Sequence, residues 1–307
     1  MKFSQLKYFV AVAENLNFTA TAKKLYISQQ ALSAHIAQLE KELNTVLLER
    51  THPLRLTEAG QRLYVTGKQM LFLERQLHSE LADISDSQQH TLTLGISSAY
   101  AHALLPQLLE SFFSRCPNAK LELKETAYPK LANLLTNHEV DMVMSWPLMV
   151  DAAVTIPILT EIIYLVVPKT LLQKEFGPQA NEAAAQLARG EGIHLLRRLP
   201  FILPSSGSIR TSCDALFLRE QINPKIVVES DWLETAIRLC QTGRGCTFAG
   251  GTMLSFLSAN APELQVFSMK NAITPREISL YYQESTHLST AMRAFIQTCH
   301  EISLPAL

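Results

Sequence analysis

Short polar side chains recur on one face of the segment between residues 28 and 41, at spacings that suit an α-helix. The members of this polar face are Ser28, Gln29, Gln30, Ser33, Ala34 and Lys41. Amide and hydroxyl groups of this kind can hydrogen-bond to base edges in the major groove of DNA. The opposite face is an apolar stripe of Leu32, Ile36, Leu39 and Leu43. The pattern predicts either a helix that reads double-stranded DNA or an ordinary helical hairpin with a solvated polar face.

Two further helices are needed to position this polar face. The periodicity predicts one helix over Phe18–Tyr26 and an earlier helix over Ser4–Glu14 that packs behind the pair. Ser28 stands where the polar helix begins, and its hydroxyl is expected to cap free backbone N–H groups there. The three predicted helices together would form a helix-turn-helix unit.

Basic residues are concentrated at the start of the chain. Residues 1–57 hold seven Lys or Arg against four Glu, a net charge of +3, whereas the whole chain carries −1. Pro53 and the alternating residues Leu54–Leu56 predict a short β-ribbon that would form a wing. Its cations are either DNA-backbone contacts or solvated surface charges; they are Arg50, His52 and Arg55. Because +3 is modest, tight DNA binding is expected to require a dimer.

The first 60 residues resemble the DNA-binding domain of LysR-type transcriptional regulators. The matching segments, in the order and spacing of that family, are LKYFVAVAENLNFTATAKKL, SQQALSAHIAQLEKELN and LLERTHPLRLTEAG. The resemblance implies a winged helix-turn-helix over residues 1–57. Two positions depart from it: Ala34 stands where a basic residue is frequent, and Asn44 where Gly is frequent. The first change should weaken phosphate anchoring, whereas Asn tolerates the left-handed C-cap conformation.

A long helix is predicted over residues 58–86, with Thr57 as its cap and a polar hinge at 87–90 behind it. Its apolar residues recur in heptads, which is typical of a helix that pairs with a second copy of itself. The residues predicted to form this seam are Leu63, Met70, Leu73, Leu77 and Ile84. Thr66, Gly67 and Glu80 weaken the seam. The alternative is a helix that packs only on its own domain.

The remainder, residues 91–307, alternates predicted strands and helices. The order strand, helix, strand, helix, strand over 91–145 implies a parallel sheet with right-handed crossovers. A second alternating set covers 201–249, and the chain closes with a strand at Ile278–Tyr282 and a helix at Leu288–Ile302. This part resembles the LysR-type effector domain, which implies a two-lobed, periplasmic-binding-protein-like fold. Lobe one is then expected at about 91–165 and 270–303, and lobe two at about 166–269.

Hydroxyl side chains follow several of the predicted strands. In open parallel sheets, ligands gather beyond the carboxyl ends of the strands and at helix N-termini. The candidate effector-binding residues are Ser97, Ser98, Thr126, Ser145, Trp146, Ser205, Ser206 and Thr247. Such a set suits a small polar or anionic ligand, although each hydroxyl alone would also serve as an N-cap. Where the family often has a Pro at the start of the next helix, this chain has Ala249–Gly251, which leaves that wall of the site undefined.

The residue pattern gives little support for an enzyme, a membrane protein or a redox sensor. The chain lacks GxSxG, HExxH, P-loop and dinucleotide-binding motifs, so no enzyme, cofactor or metal site is predicted. The five cysteines are scattered, which fits a reducing cytoplasm. No stretch reaches the ~20 apolar residues of a membrane span. Cys240 and Cys246 keep one alternative open, a redox sensor on the same scaffold, although both are expected to be buried and inert.

The sequence therefore predicts a ligand-responsive regulator that binds specific DNA. A small effector would bind between the lobes and change how the DNA-binding units of a homodimer or homotetramer are arranged. RNA polymerase is the expected further partner, and no membrane partner is expected.

Overall fold

A computed structural model describes residues 1–49, 53–85, 90–254 and 263–301. It divides into two compact units. One comprises Met1–His90 with Thr136–Glu139, and the other comprises Thr91–Leu135 with Val140–Leu307. Arg50, His52 and most of the predicted 87–90 hinge lie outside the described residues. In the described part of the chain, no helix is long and apolar enough to cross a membrane.

The first unit begins with the predicted helical triad and its wing. The helices are α1 (Phe3–Asn15), α2 (Phe18–Lys24) and α3 (Gln29–Leu43), and the wing strands are β1 (Leu48–Glu49) and β2 (Arg55–Leu56), which pair antiparallel. Ser28 caps α3 as predicted, because its hydroxyl accepts the Ala31 N–H at 3.1 Å. Asn44 ends α3 in the left-handed conformation, with φ 50°.

An apolar core holds the triad together. Leu32, Ile36 and Leu39 of the predicted stripe are fully buried against Leu6 and Phe9 of α1, whereas Leu43 is partly exposed. Burying three such leucine-sized side chains is worth about 1.5–3 kcal/mol each. The apolar stripe of α3 therefore fixes which face of this helix remains free.

The long helix α4 (Glu58–Ser85) starts where the sequence predicts, since the Thr57 hydroxyl accepts the Gly60 N–H at 2.9 Å. Gly67, which looks unfavourable in a heptad seam, has a packing reason. A Cβ at this position would lie 2.8 Å from Leu6 Cδ1, so glycine lets α4 approach α1. Phe72 also lies on α4, but its side chain is buried within the chain and is not available to a second copy.

The second unit contains a five-stranded mixed sheet. Its strands, in spatial order, are β4 (Ala119–Glu125), β3 (His90–Ile96), β5 (Met142–Ser145), β12 (Arg276–Gln283) and β6 (Ala153–Glu161). β3 and β5 are parallel as predicted, whereas β12 is antiparallel to both of its neighbours. The helices of this lobe are α5 (Ser98–Arg115), α6 (Tyr128–Thr136) and α12 (Thr290–His300).

The intervening chain, from residue 163 to residue 268, forms the other lobe. Its strands are β7 (Ile163–Pro168), β8 (Pro200–Pro204), β9 (Lys225–Ser230), β10 (Thr247–Gly250) and β11 (Leu264–Ser268). β8 and β9 are parallel, and β7 lies antiparallel between β10 and β11. The helices are α7 (Lys169–Phe176), α8 (Ala180–Arg189), α9 (Ser208–Arg219), α10 (Leu233–Cys240) and the short α11 (Gly251–Leu254), with 3₁₀ turns at 177–179 and 193–198.

Three features differ from the sequence prediction. Strands β6 and β11 are not predicted. The sequence predicts the first helix of this unit from about His102 to Arg115, but α5 begins at Ser98, because the Ser97 hydroxyl accepts the Tyr100 N–H at 3.4 Å and caps the helix there. Pro106 is accommodated inside this helix. The earlier start of α5 brings Ser98 and Tyr100 into the region between the lobes.

Candidate DNA-recognition and effector sites

The polar face of α3 is free in the first unit. Gln29, Gln30, Ala34 and Lys41 are exposed, and Ser33 is half-buried. A helix whose opposite face is locked into a core presents such side chains in a fixed direction, as base reading requires. On the wing, Arg55 is exposed at the start of β2.

The predicted seam of α4 is also largely uncovered. Leu63 packs against the core of the triad, but Met70, Leu73, Leu77 and Ile84 are 37%, 61%, 55% and 81% exposed. Leu81 is 50% exposed beside them. A row of exposed large apolar side chains along one helix is characteristic of a surface that a partner covers.

In the second unit, a cavity of about 470 Å³ lies between the lobes. We call it the first cavity. Its wall is formed by the ends of β3 and β5 and by the N-terminal ends of α5, α6, α9 and α10. Of the eight predicted effector residues, six line it: Ser97, Ser98, Thr126, Ser145, Trp146 and Ser206. The topology therefore brings hydroxyls from four separate loops to one place, as expected at the carboxyl ends of parallel strands.

The other two predicted residues lie elsewhere. Thr247 is fully buried inside the second lobe, because alternation along β10 turns its side chain away from the cavity, and its hydroxyl has no hydrogen-bond partner. Ser205 instead donates to Asp231 at 2.5 Å and does not line the cavity. Arg210 is held in ion pairs with Asp214 and Glu229, at 2.8 and 2.5 Å, so its charge is structural.

The most unusual group in the cavity wall is one that sequence analysis does not identify. Glu161, at the end of β6, is 1% exposed and lines the first cavity. The Tyr100 hydroxyl donates to its Oε2 at 2.5 Å, and the hydroxyl and backbone N–H of Thr252 donate to Oε1, the latter at 3.2 Å. Burial raises the pKa of Glu161, although these donors oppose the shift. Burial likewise raises the pKa of Tyr100 well above its ordinary value.

Carboxylates dominate the charge of the first cavity. Lys130 is its one lining cation within the described chain, against Glu125, Glu161, Asp231 and Glu234. A fully anionic ligand would meet repulsion from these groups. This lining favours a ligand that donates hydrogen bonds or carries positive charge there.

The thiols are arranged unfavourably for redox chemistry. All five cysteines are free and buried. Burial raises the pKa of Cys240 to about 12 and also raises the pKa values of Cys213, Cys246 and Cys299. Because the thiolate is the reactive form, these side chains should react slowly with oxidants.

The exposed helix face, the wing and the two-lobed α/β unit define a DNA-binding regulator with an effector-binding domain, and comparisons agree. Residues 3–61 match the model described as bacterial regulatory helix-turn-helix protein, lysR family, and residues 85–303 match the LysR substrate binding domain. The chain belongs to the LysR family of transcriptional regulators. Its family and its relatives are transcriptional regulators and not enzymes.

Individual relatives cover nearly the whole chain. The uncharacterized regulator YcgK of Bacillus subtilis is 29% identical over an alignment of 309 positions that covers 94% of each chain. The structure of full-length CbnR complexed with its target DNA has a TM-score of 0.65, 22% identity and coverage of 97% of this chain and 99% of CbnR. The H2O2-bound C206S mutant of Corynebacterium glutamicum OxyR has a TM-score of 0.57, 24% identity and coverage of 97% and 91%. Both structural similarities concern the fold alone.

Proposed function

We propose that this regulator responds to a small polar effector bound in the first cavity. The observation that carries the proposal is the convergence of six predicted hydroxyl and tryptophan positions from both lobes on that one cavity. Ser145 supports it further, because this residue is 2% exposed and lines the cavity at the end of β5, where its hydroxyl can hydrogen-bond to a ligand.

The regulatory step that we propose is a two-state coupling. An effector that contacts both lobes favours one lobe arrangement, and the packing of effector domains in a homodimer or homotetramer then changes. The paired α4 helices would respace the α3 helices on DNA and so alter access for RNA polymerase in the cytoplasm. Such coupling requires that the effector bind the two arrangements with different affinity.

On DNA, we propose that the polar face of α3 contacts base edges and that the wing contacts the backbone. The contributing residues are Ser28, Gln29, Gln30, Ser33, Ala34, Lys41, Arg50, His52 and Arg55. The seam of α4, formed by Leu63, Met70, Leu73, Leu77 and Ile84, would join two copies. The domain limits 1–57, 58–86, 87–90 and 91–307 belong to this proposal.

The proposed function can be tested by genome-wide footprinting of the bound protein, followed by ligand-binding measurements on the full chain. Genes beside the footprints give candidate effectors, and thermal stabilisation of the full chain measures their binding. Ser145→Ala should weaken binding of the true effector by about 0.5–1.5 kcal/mol, which is the net contribution of one hydrogen bond. Ser114→Ala is the matched control, because that hydroxyl lies on α5 outside the cavity and donates to Glu110 O at 2.8 Å. Equal affinity in both variants would argue against this cavity.

A redox sensor on the same scaffold remains the alternative function. The burial and raised pKa values of the thiols weigh against it. Free-thiol counts before and after mild peroxide separate the two functions: five thiols should remain, and a reversible loss of two would favour the redox sensor.

A further inference from the structure

Arg276 is a half-buried cation, and the one carboxylate opposite it across the strands, Glu161 on β6, acts on it electrostatically without forming an ion pair. It lies at the start of β12, where its Nη2 donates to Ser208 O at 2.6 Å. Its guanidinium carbon lies 3.8 Å from the ring centroid of Trp146, so the group lies over the indole ring as a cation–π contact. Within the described chain it forms no ion pair. Burial lowers the pKa of Arg276.

A second cavity, of about 520 Å³, opens beside this guanidinium. One wall is the N-terminal half of α9, with Thr211 and Ser212, and the other is the segment 272–277 that leads into β12. The second cavity shares Tyr128, Trp146 and Ser208 with the first cavity but none of the four carboxylates that line the first.

The charges around the second cavity favour an anion. Arg276 and Arg219 line it together with one carboxylate, Glu277. Arg219 is already paired with Glu220 at 2.9 Å, and Glu277 accepts from the Ser279 hydroxyl at 3.3 Å. Among the described residues, Arg276 uses one of its five N–H donors, toward Ser208 O, and the others can face a ligand.

We propose that the second cavity binds a small carboxylate, with Arg276 as its charge partner. The planar guanidinium matches a carboxylate through two parallel hydrogen bonds, and Ser212 and Thr211 on α9 can add hydroxyl contacts. One unpaired cation suits a monoanionic group better than a phosphate dianion. This site is separate from the effector cavity of the proposed function, and the two share Trp146 as a wall.

The two tryptophans of the chain, Trp146 and Trp232, make the site measurable. Trp232 lines the first cavity and not the second. In the full-length Trp232→Phe variant, the remaining fluorescence comes from Trp146, against which Arg276 is stacked. Acetate, succinate and inorganic phosphate are titrated at constant ionic strength, with chloride as the reference anion.

A carboxylate should change this fluorescence saturably below about 10 mM, the weak millimolar range expected for one charge-assisted contact. Adding Arg276→Gln should weaken that binding at least tenfold, whereas Arg189→Gln, on the exposed surface of α8, should leave it unchanged. The Arg276→Lys protein keeps the charge but loses the planar guanidinium, so it should bind the carboxylate more weakly than the protein with Arg276. Circular dichroism checks that each variant folds.

No saturable response to either carboxylate would overturn the proposal, as would equal binding in the Arg276→Gln and Arg189→Gln proteins. Saturation by phosphate alone would overturn the assigned ligand class. None of these outcomes affects the Ser145→Ala test, so this site and the effector cavity can fail independently.

Discussion

Gly250 lies directly against the carboxylate of Glu161. A Cβ at position 250 would fall 2.3 Å from both the carboxyl carbon and Oε1 of Glu161, a distance that no structure accommodates without movement. Gly250 belongs to the segment Ala249–Gly251, where LysR-type sequences often have a Pro, and it lies against a buried glutamate on another strand. This pairing defines the wall of the first cavity that the sequence leaves open.

Gly250→Ala should lower the free energy of unfolding by about 1–3 kcal/mol, because the new methyl group overpacks against Glu161. Urea unfolding of the purified full chain measures this change. Gly251→Ala is the matched control, since its Cβ would meet Tyr164 at 3.3 Å and Ile162 O at 3.6 Å. In a Glu161→Ala background, the cost of Gly250→Ala should largely disappear. An unchanged cost there would show that the clash lies elsewhere.

Glu161 should also make stability depend on pH. Burial raises its folded-state pKa, so the folded protein holds this proton more tightly than the unfolded chain does. The resulting stabilisation is fully present below the unfolded pKa, about 4.3, and is lost as the pH rises through the folded pKa. Wild-type protein should therefore lose stability relative to Glu161→Gln as pH increases from about 4.5. Urea unfolding across that range tests this, and parallel curves for the two proteins would contradict it.

Gln29→Ala should weaken specific DNA binding by about 1–3 kcal/mol and leave non-specific binding unchanged, if this amide contacts a base edge. Binding is measured on the operator and on a scrambled duplex at the same salt concentration. Gln38→Ala is the comparison, because Gln38 is exposed on α3, lies outside the proposed contact set and donates to Glu42 at 3.3 Å. An equal loss on both duplexes would mean that Gln29 only positions the backbone.

Leu77→Glu should weaken self-association, because it places a charge in the exposed apolar row of α4. Sedimentation of the full chain should show a larger share of monomer, and operator affinity should fall with it. Leu218→Glu changes an apolar side chain on α9 that is 82% exposed and lies outside the row, so its self-association should match wild type. Identical sedimentation of both variants would mean that the apolar row of α4 does not form the dimer interface.

The parts of this molecule that follow local rules were accessible from sequence. Heptad and helical spacing located α3 and α4, and Ser28 and Asn44 act as the caps that their chemistry implies. Strand β6 was missed because Pro157 interrupts its pattern. Glu161 and Arg276 were missed for a related reason: they are partners across β6 and β12, which are more than one hundred residues apart in sequence. No local spacing reports such a pairing.

Thr247 illustrates the opposite error. A hydroxyl near the end of a predicted strand was assigned to the ligand cleft, but only the face of the strand decides where the side chain points. In β10 that face is the lobe interior.

The central claim is that an effector in the first cavity changes how the regulator holds DNA. The direct measurement uses the full-length protein on its operator and a compound whose thermal stabilisation is reduced by Ser145→Ala but not by Ser114→Ala. Footprint length, DNA bend and operator affinity are compared with and without that compound. We predict an altered footprint or bend and an affinity change of at least about fivefold, as coupled sites typically show. An unchanged footprint, bend and affinity at saturating compound would contradict the account.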